Sequence, residues 1–231
     1  MERDVPQRRQ ASSTAPAADD GLPTGTVTFL FTDIEGSTAL LRRAGPGYGD
    51  VLAEHRRVLR AAFAAHGGRE VDTQGDSFFV AFASPTAAVS AAVDAQRSLA
   101  GHPWPPGCEV RVRMGVHTGE AATSHGSYVG LGVHRAARIA ALAHGGQVLL
   151  SEATAGLVRD GLPDGVRVHD LGEHRLKDFG APAQLLQLDL EGLPSSFPPL
   201  RASARGASLP RPPGSFVGRE DAVAALVDRL R

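Results

Sequence analysis

The sequence predicts a mixed α/β (α+β) protein: a ferredoxin-like βαββαβ antiparallel sheet with helices on one face, extended by C-terminal strands. Two observations predict it most directly. Apolar, β-branched and aromatic runs alternate with helix-period segments in the order β-α-β-β-α-β. A hairpin signal, Gln74-Gly75-Asp76, joins the second and third strands.

The first strand is TVTFLFTD, residues 26–33, short and rich in the residue types that fit a buried pleat. The turn Glu35-Gly36-Ser37 follows, with Ser37 placed to cap a helix. Val51, His55, Val58, Leu59, Ala62 and Phe63 recur on one face of a second helix, which Gly67-Gly68 stops. Residues 69–73 and 77–83 form the hairpin, and Ser84-Pro85 opens an Ala-rich helix that runs to Leu99. EVRVRMGVHT, residues 109–118, alternates as a half-buried strand does. A helix over 133–143, a strand over 147–150, a helix over 151–158 capped by Ser151, and strands over 166–171 and 184–190 complete the unit.

Flanking composition sets the domain limits. Residues 1–24 are rich in Ala, Ser, Pro and Arg without periodicity and read as a disordered leader. The compact unit is residues 25–191, and residues 192–214 form a Pro/Ser/Arg linker. Residues 215–231 return to helical spacing and read as the start of a further, truncated module.

With 24 Lys and Arg against 25 Asp and Glu the chain is almost neutral, which argues against a surface built wholly for nucleic acid or anionic lipid. A single cysteine, Cys108, excludes an internal disulfide, and no CxxC or CxxH spacing exists for zinc. No apolar run approaches the roughly 20 residues of a membrane helix, and the N-terminus has no apolar signal core, so the expected compartment is the cytoplasm.

Chemistry concentrates at two aspartates. Asp33 ends the first strand and Asp76 sits on the hairpin turn, and in a βαββαβ sheet the first and third strands are neighbours. Two carboxylates brought together repel unless a divalent cation lies between them, and oxygen ligands favour Mg²⁺ or Mn²⁺. Gly36, Ser37 and Thr38 lead into a helix start whose amides and dipole suit a triphosphate. The plainer alternative is that both aspartates bond to their own turns.

Five segments, TVTFLFTDIEGST, HGGREVDTQGDSFFVAF, VRVRMGVHTGEA, YVGLGVHRAARIAALAHGGQVLLS and LGEHRLKDFG, together resemble the class III adenylate/guanylate cyclase catalytic domain. The resemblance spans roughly residues 24–190, with the motifs in the family's order and spacing. FVGRE in the tail resembles the opening of an NB-ARC/AAA-type ATPase, as in bacterial regulators that place a cyclase-like domain first, but no GxxxxGK[ST] loop follows in the sequence.

The resemblance implies cyclisation of a purine nucleoside triphosphate, ATP or GTP, to the 3′,5′-cyclic monophosphate and pyrophosphate, assisted by two Mg²⁺ or Mn²⁺ ions. It implies that Asp33 and Asp76 hold the ions with the Ile34 carbonyl, that Arg138 stabilises the phosphates, and that Lys177 falls near a phosphate-touching lysine. Three positions depart from the pattern. Asp72 stands where adenylate cyclases carry a base-reading lysine, Ser127 where its partner aspartate falls, and His134 where an asparagine orients the ribose.

A carboxylate acceptor with a hydroxyl suits guanine better than adenine, although Asp is one methylene shorter than the glutamate of guanylate cyclases. The family's site forms across a two-fold dimer, so Asp33 and Asp76 of one protomer are expected to face Asp72, Ser127, His134 and Arg138 of its partner. The rival expectation is a degenerate nucleotide-sensing or dimerisation domain of a multidomain transcriptional regulator. No membrane contact is expected, and no direct contact of this chain with nucleic acid. Arg56, Arg57 and Arg60 read as a solvated helix face.

Overall fold

The computed structural model describes residues 21–124 and 127–201. In chain order these form β1 (Gly25–Ile34), α1 (Ser37–Ala44), α2 (Tyr48–Ala65), β2 (Arg69–Gln74), β3 (Ser77–Phe82), α3 (Pro85–Gly101) and β4 (Val112–Ser124). There follow β5 (Ser127–Val129), α4 (Leu131–Leu142), β6 (Val148–Ser151), α5 (Glu152–Val158), β7 (Val166–His174) and β8 (Ala183–Leu190).

The eight strands make one sheet, ordered β2-β3-β1-β4-β6-β8-β7 with β5 paired to β4. Its β2-β3-β1-β4 half has the expected ferredoxin-like order, with each ladder antiparallel. Strand β6 joins β4 in parallel because α4 crosses over between them, and β8 and β7 extend the sheet antiparallel beyond it. The predicted antiparallel sheet is therefore mixed at this one ladder among the described residues.

Alternation along β1 sends Leu30 to one face and Phe29 to the other. Leu30, Val80, Phe82 and Val116 pack with Leu40 of α1, Leu59 and Phe63 of α2, Val89 and Val93 of α3, and Val158 of α5. The helices thus cover one face, as expected, with α4 in addition on the other. There Ala136 joins Phe29, Ala81 and Tyr128. Gly115 permits that approach: a Cβ on it would lie 2.2 Å from the Ala140 backbone nitrogen.

Ser84 and Ser151 cap α3 and α5 as expected, accepting from the amides of Ala87 and Thr154. Ser37 does not cap α1. Gly36 takes that place with a left-handed φ of 65°, its carbonyl accepts the amides of Ala39 and Leu40, and Ser37 becomes the first helical residue. Strand β4 runs on to Ser124 and returns as β5, a three-residue strand too short for periodicity to reveal.

Residues 192–201 lie back against the domain. Gln187 Nε2 donates to the Ser195 carbonyl at 2.7 Å, and the Arg201 amide donates to the Leu142 carbonyl at 3.1 Å. Of the expected leader, linker and terminal module, residues 1–20 and 202–231 lie outside the described residues.

Candidate active site

The end of β1 and the β2–β3 turn meet as their spacing predicts. Ser77 Oγ donates to Asp33 Oδ1 at 2.9 Å, and the Ile34 amide donates to Asp76 Oδ2 at 3.2 Å. From β4, directly opposite Asp33 in the ladder, Arg113 Nε donates to Asp33 Oδ2 at 2.9 Å. Arg56 Nε donates to the Gly75 carbonyl at 3.2 Å, so one arginine of the predicted solvated face braces the turn that carries Asp76. Its neighbours Arg57 and Arg60 pair with Glu54 and Glu70.

Burial first, and then the charge of Asp33, hold the Asp76 carboxyl above the usual carboxylate range. Such a pair of repelling oxygens fits a hard divalent cation, which would relieve the repulsion. Among the described residues there is no cluster of three or more His, Cys, Asp or Glu side chains suited to a metal. Two carboxylates and a backbone carbonyl would leave the remaining ligand positions to phosphate oxygens and water, the usual arrangement for Mg²⁺.

Gly36, Ser37 and Thr38 form the entry to α1, and no side chain caps that helix end. With no acidic side chain in its first turn, the positive end of the α1 dipole is left to suit an anionic group.

The other predicted residues form a second group. His134 and Arg138 lie one turn apart on α4, His134 exposed and Arg138 half-buried. Arg138 Nη2 donates to Asp178 Oδ2 at 2.7 Å. Asp178 follows the exposed Lys177 in the β7–β8 connection and has φ 67°, a left-handed conformation that no other non-glycine residue adopts among the described residues. The Arg135 guanidinium lies 5.0 Å from the Phe179 ring centroid, so this connection holds two α4 cations.

Asp72 is exposed on β2, with Gln74 Nε2 donating to its Oδ2 at 2.8 Å. Ser127 opens β5, also exposed. Among the described residues no hydrogen bond or ion pair joins Asp33 or Asp76 to Asp72, Ser127, His134, Arg138 or Lys177 within the chain.

Three partners in these contacts escape a reading of the sequence: Ser77, Arg113 and Asp178. Arg113 leaves a trace, a cation among Val110, Val112, Met114 and Val116 in a strand bound for the sheet centre. Asp178 leaves none, because its role depends on where the β7–β8 connection lands.

This fold, with paired acidic groups at one sheet end and Arg135 and Arg138 on the helix of the opposite face, has relatives among known proteins. The family profile for the adenylate and guanylate cyclase catalytic domain covers residues 22–188, and the chain belongs to that family. It is 38% identical over 222 residues to an uncharacterised protein of Mycobacterium tuberculosis, covering 93% of this chain and 75% of that one. It is 32% identical over 205 residues to receptor-type adenylate cyclase A of Leishmania donovani, covering 71% of this chain and 15% of that much longer protein. Among solved structures, an adenylate cyclase from Trypanosoma brucei in its monomeric state superposes with a TM-score of 0.68 at 30% identity, over 78% of this chain and 94% of that one.

Proposed function

We propose that the chain is a class III nucleotide cyclase, converting ATP or GTP to the 3′,5′-cyclic monophosphate and pyrophosphate in a homodimer with shared sites. The meeting of Asp33 with Asp76 at the end of β1 carries this reading. Asp33, Asp76 and the Ile34 carbonyl would hold two Mg²⁺ or Mn²⁺ ions, which supply charge neutralisation at the triphosphate and activation of the ribose 3′-hydroxyl. The amides of Gly36, Ser37 and Thr38 orient the phosphates. Arg138 brings a permanently charged fork to the charge that develops as pyrophosphate leaves, and Lys177 reaches the terminal phosphates. His134 orients the ribose, and Asp72 with Ser127 reads the base.

On this reading the two groups complete one another across a two-fold pairing, since among the described residues no hydrogen bond or ion pair joins them. Apolar surface supports that pairing: Val129 is 50% exposed and Leu131 73% exposed, between Ser127 and His134. Among the described residues no helix is long and apolar enough to cross a membrane.

A second reading has its own observation. The clamp of Arg113 on Asp33 places a protein cation at the metal aspartate, which suits a domain that holds nucleotide and relays to another module without turnover.

Purified protein with Mn²⁺ and either nucleotide decides between them. Cyclic product that Asp33→Ala lowers by at least about a hundredfold supports the enzyme, since single charge-stabilising groups are worth about 10²–10³ in rate. Saturable nucleotide binding without product supports the relay. Mixing Asp33→Ala with Arg138→Ala protomers restores activity if sites are shared, because one of the two sites in each mixed dimer is then intact.

A further inference from the structure

We propose that Arg201 is a positioning residue for the loop that carries Asp33, tying the segment that follows β8 to the site through Glu35. The inference rests on reading that loop as the metal loop, and it adds to that reading a route for control.

Glu35 stands between Ile34 and the left-handed Gly36, two residues after Asp33. Its amide donates to the Arg111 carbonyl at 2.9 Å, continuing the β1–β4 ladder by one step. Its carboxylate accepts from Arg201 Nη2, and His144 Nδ1 lies 3.7 Å from the same oxygen. The α4–β6 connection presses on it as well. A Cβ added at Gly145 would come within 2.8 Å of Glu35 Oε2 and 2.6 Å of Arg111 Cβ, so Glu35 has little room to take another position. Both partners are partly sheltered, with side-chain exposures of 39% for Arg201 and 26% for Glu35.

The segment bearing Arg201 is held by a few polar ties and by Leu193 and Leu200, which pack against the core near its two ends. The Arg201 amide bonds to the Leu142 carbonyl, and His144 Nε2 lies 3.1 Å from the Pro199 carbonyl oxygen. Between these ties and Leu193 lies a cavity of about 770 Å³, walled by Trp104 and Val110 on the domain side and Phe197 on the other. Between Leu193 and Leu200 the strap spans an open pocket instead of packed side chains, so the polar ties there count for more. His144 serves both ends: it touches the strap at Pro199 and faces Glu35. Whatever shifts Arg201 therefore acts on Glu35 through this tie. The effect on the site follows from distance along the chain, since the backbone from Glu35 to Asp33 has only Ile34 between them.

Amide hydrogen exchange on the full chain, without metal or nucleotide, tests the tie directly. Arg201→Ala is expected to raise exchange at residues 34–38 about tenfold, the equivalent of one charge-assisted hydrogen bond. Arg201→Lys restores part of the protection. Glu35→Gln raises exchange similarly, and the Arg201→Ala/Glu35→Gln double variant is no worse than either single one. In the enzyme assay, Arg201→Ala is expected to raise the Mn²⁺ concentration needed for half-maximal rate several-fold and to leave kcat at saturating Mn²⁺ within about twofold. Unchanged exchange at 34–38 in Arg201→Ala overturns the proposal, as do single effects that simply add in the double variant. Because exchange is read with no metal or nucleotide present, a chain that makes no cyclic product removes the cyclase reading and leaves this result standing.

Discussion

Arg113 and Asp33 face each other across the β1–β4 ladder, and the arginine holds one oxygen of the aspartate through both Nε and Nη2. A cation therefore already neutralises the residue proposed to bind metal. The two cations compete for Asp33 Oδ2, which a divalent ion gains only as Arg113 yields it, whereas Oδ1 accepts from Ser77. Both side chains are about a quarter exposed, 22% and 27%, so the pair contributes about 1 kcal/mol to the metal-free fold. Arg113→Met is expected to lower metal-free stability by about that amount and to raise Mn²⁺ affinity several-fold. Titration calorimetry with Mn²⁺ alone measures it, and equal affinity in the variant and the parent would show that the arginine does not compete.

Asp178 stands in the same relation to Arg138. Its carboxylate engages the guanidinium that the phosphates would need, and its left-handed backbone holds it there. Asp178→Asn keeps a residue that tolerates this conformation and removes the charge. The expected result is a nucleotide KM about threefold lower with kcat little changed, because the loss of a rival anion favours ground state and transition state alike. Arg138→Ala, by contrast, is expected to lower kcat at least about a hundredfold. Steady-state kinetics with both variants separate the roles, and a higher KM in Asp178→Asn would mean that the aspartate orients the arginine instead of occupying it.

The base preference is expected to follow Asp72. Its Oδ2 accepts from Gln74, which leaves Oδ1 for a donor edge such as that of guanine. Asp72→Lys replaces an acceptor with a donor and should shift the ratio of kcat/KM for GTP over ATP at least about tenfold towards ATP. A ratio that does not move removes Asp72 from base reading.

The order of strands and helices was legible because each depends on local pattern: alternation in β4, helical spacing in α2, and serines before α3 and α5. Asp33 and Asp76 were legible as a pair because the hairpin signal fixed strand order, and strand order fixed their neighbourhood. What stayed hidden depends on partners distant in sequence. Arg113 reaches Asp33 from 80 residues away, Arg138 meets Asp178 from 40, and Arg201 meets Glu35 from 166. The sidedness of α4 was hidden for a related reason. It follows from Gly115 admitting Ala140, which no periodicity within α4 announces. Ser37 is a good cap by type, yet the cap of α1 falls on Gly36, because the turn there needs a left-handed backbone.

Acid sensitivity is expected to trace to His55. Its ring is fully buried against Phe78, with centroids 5.9 Å apart, and neither ring nitrogen finds a hydrogen-bond partner among the described residues. Burial first, and then the Arg56 charge, press its pKa down to about 4, against a smaller opposite pull from Asp33. The unfolded chain takes up this proton near pH 6.5 and the native state only near pH 4, so stability is full above about 6.5 and is lost as pH falls towards 4. The difference amounts to about 3 kcal/mol at the acid end. His117, also buried and also held at about 4, adds a parallel loss, and its Nδ1 lies 2.8 Å from Ser151 Oγ. His55→Leu removes one contribution and keeps the other. It should match or exceed the parent at pH 7, since an unpartnered buried polar ring is replaced by an apolar side chain, and its stability should fall less steeply between pH 6.5 and 4. Urea midpoints across that range measure both effects, and an unchanged slope in His55→Leu would assign the acid loss elsewhere.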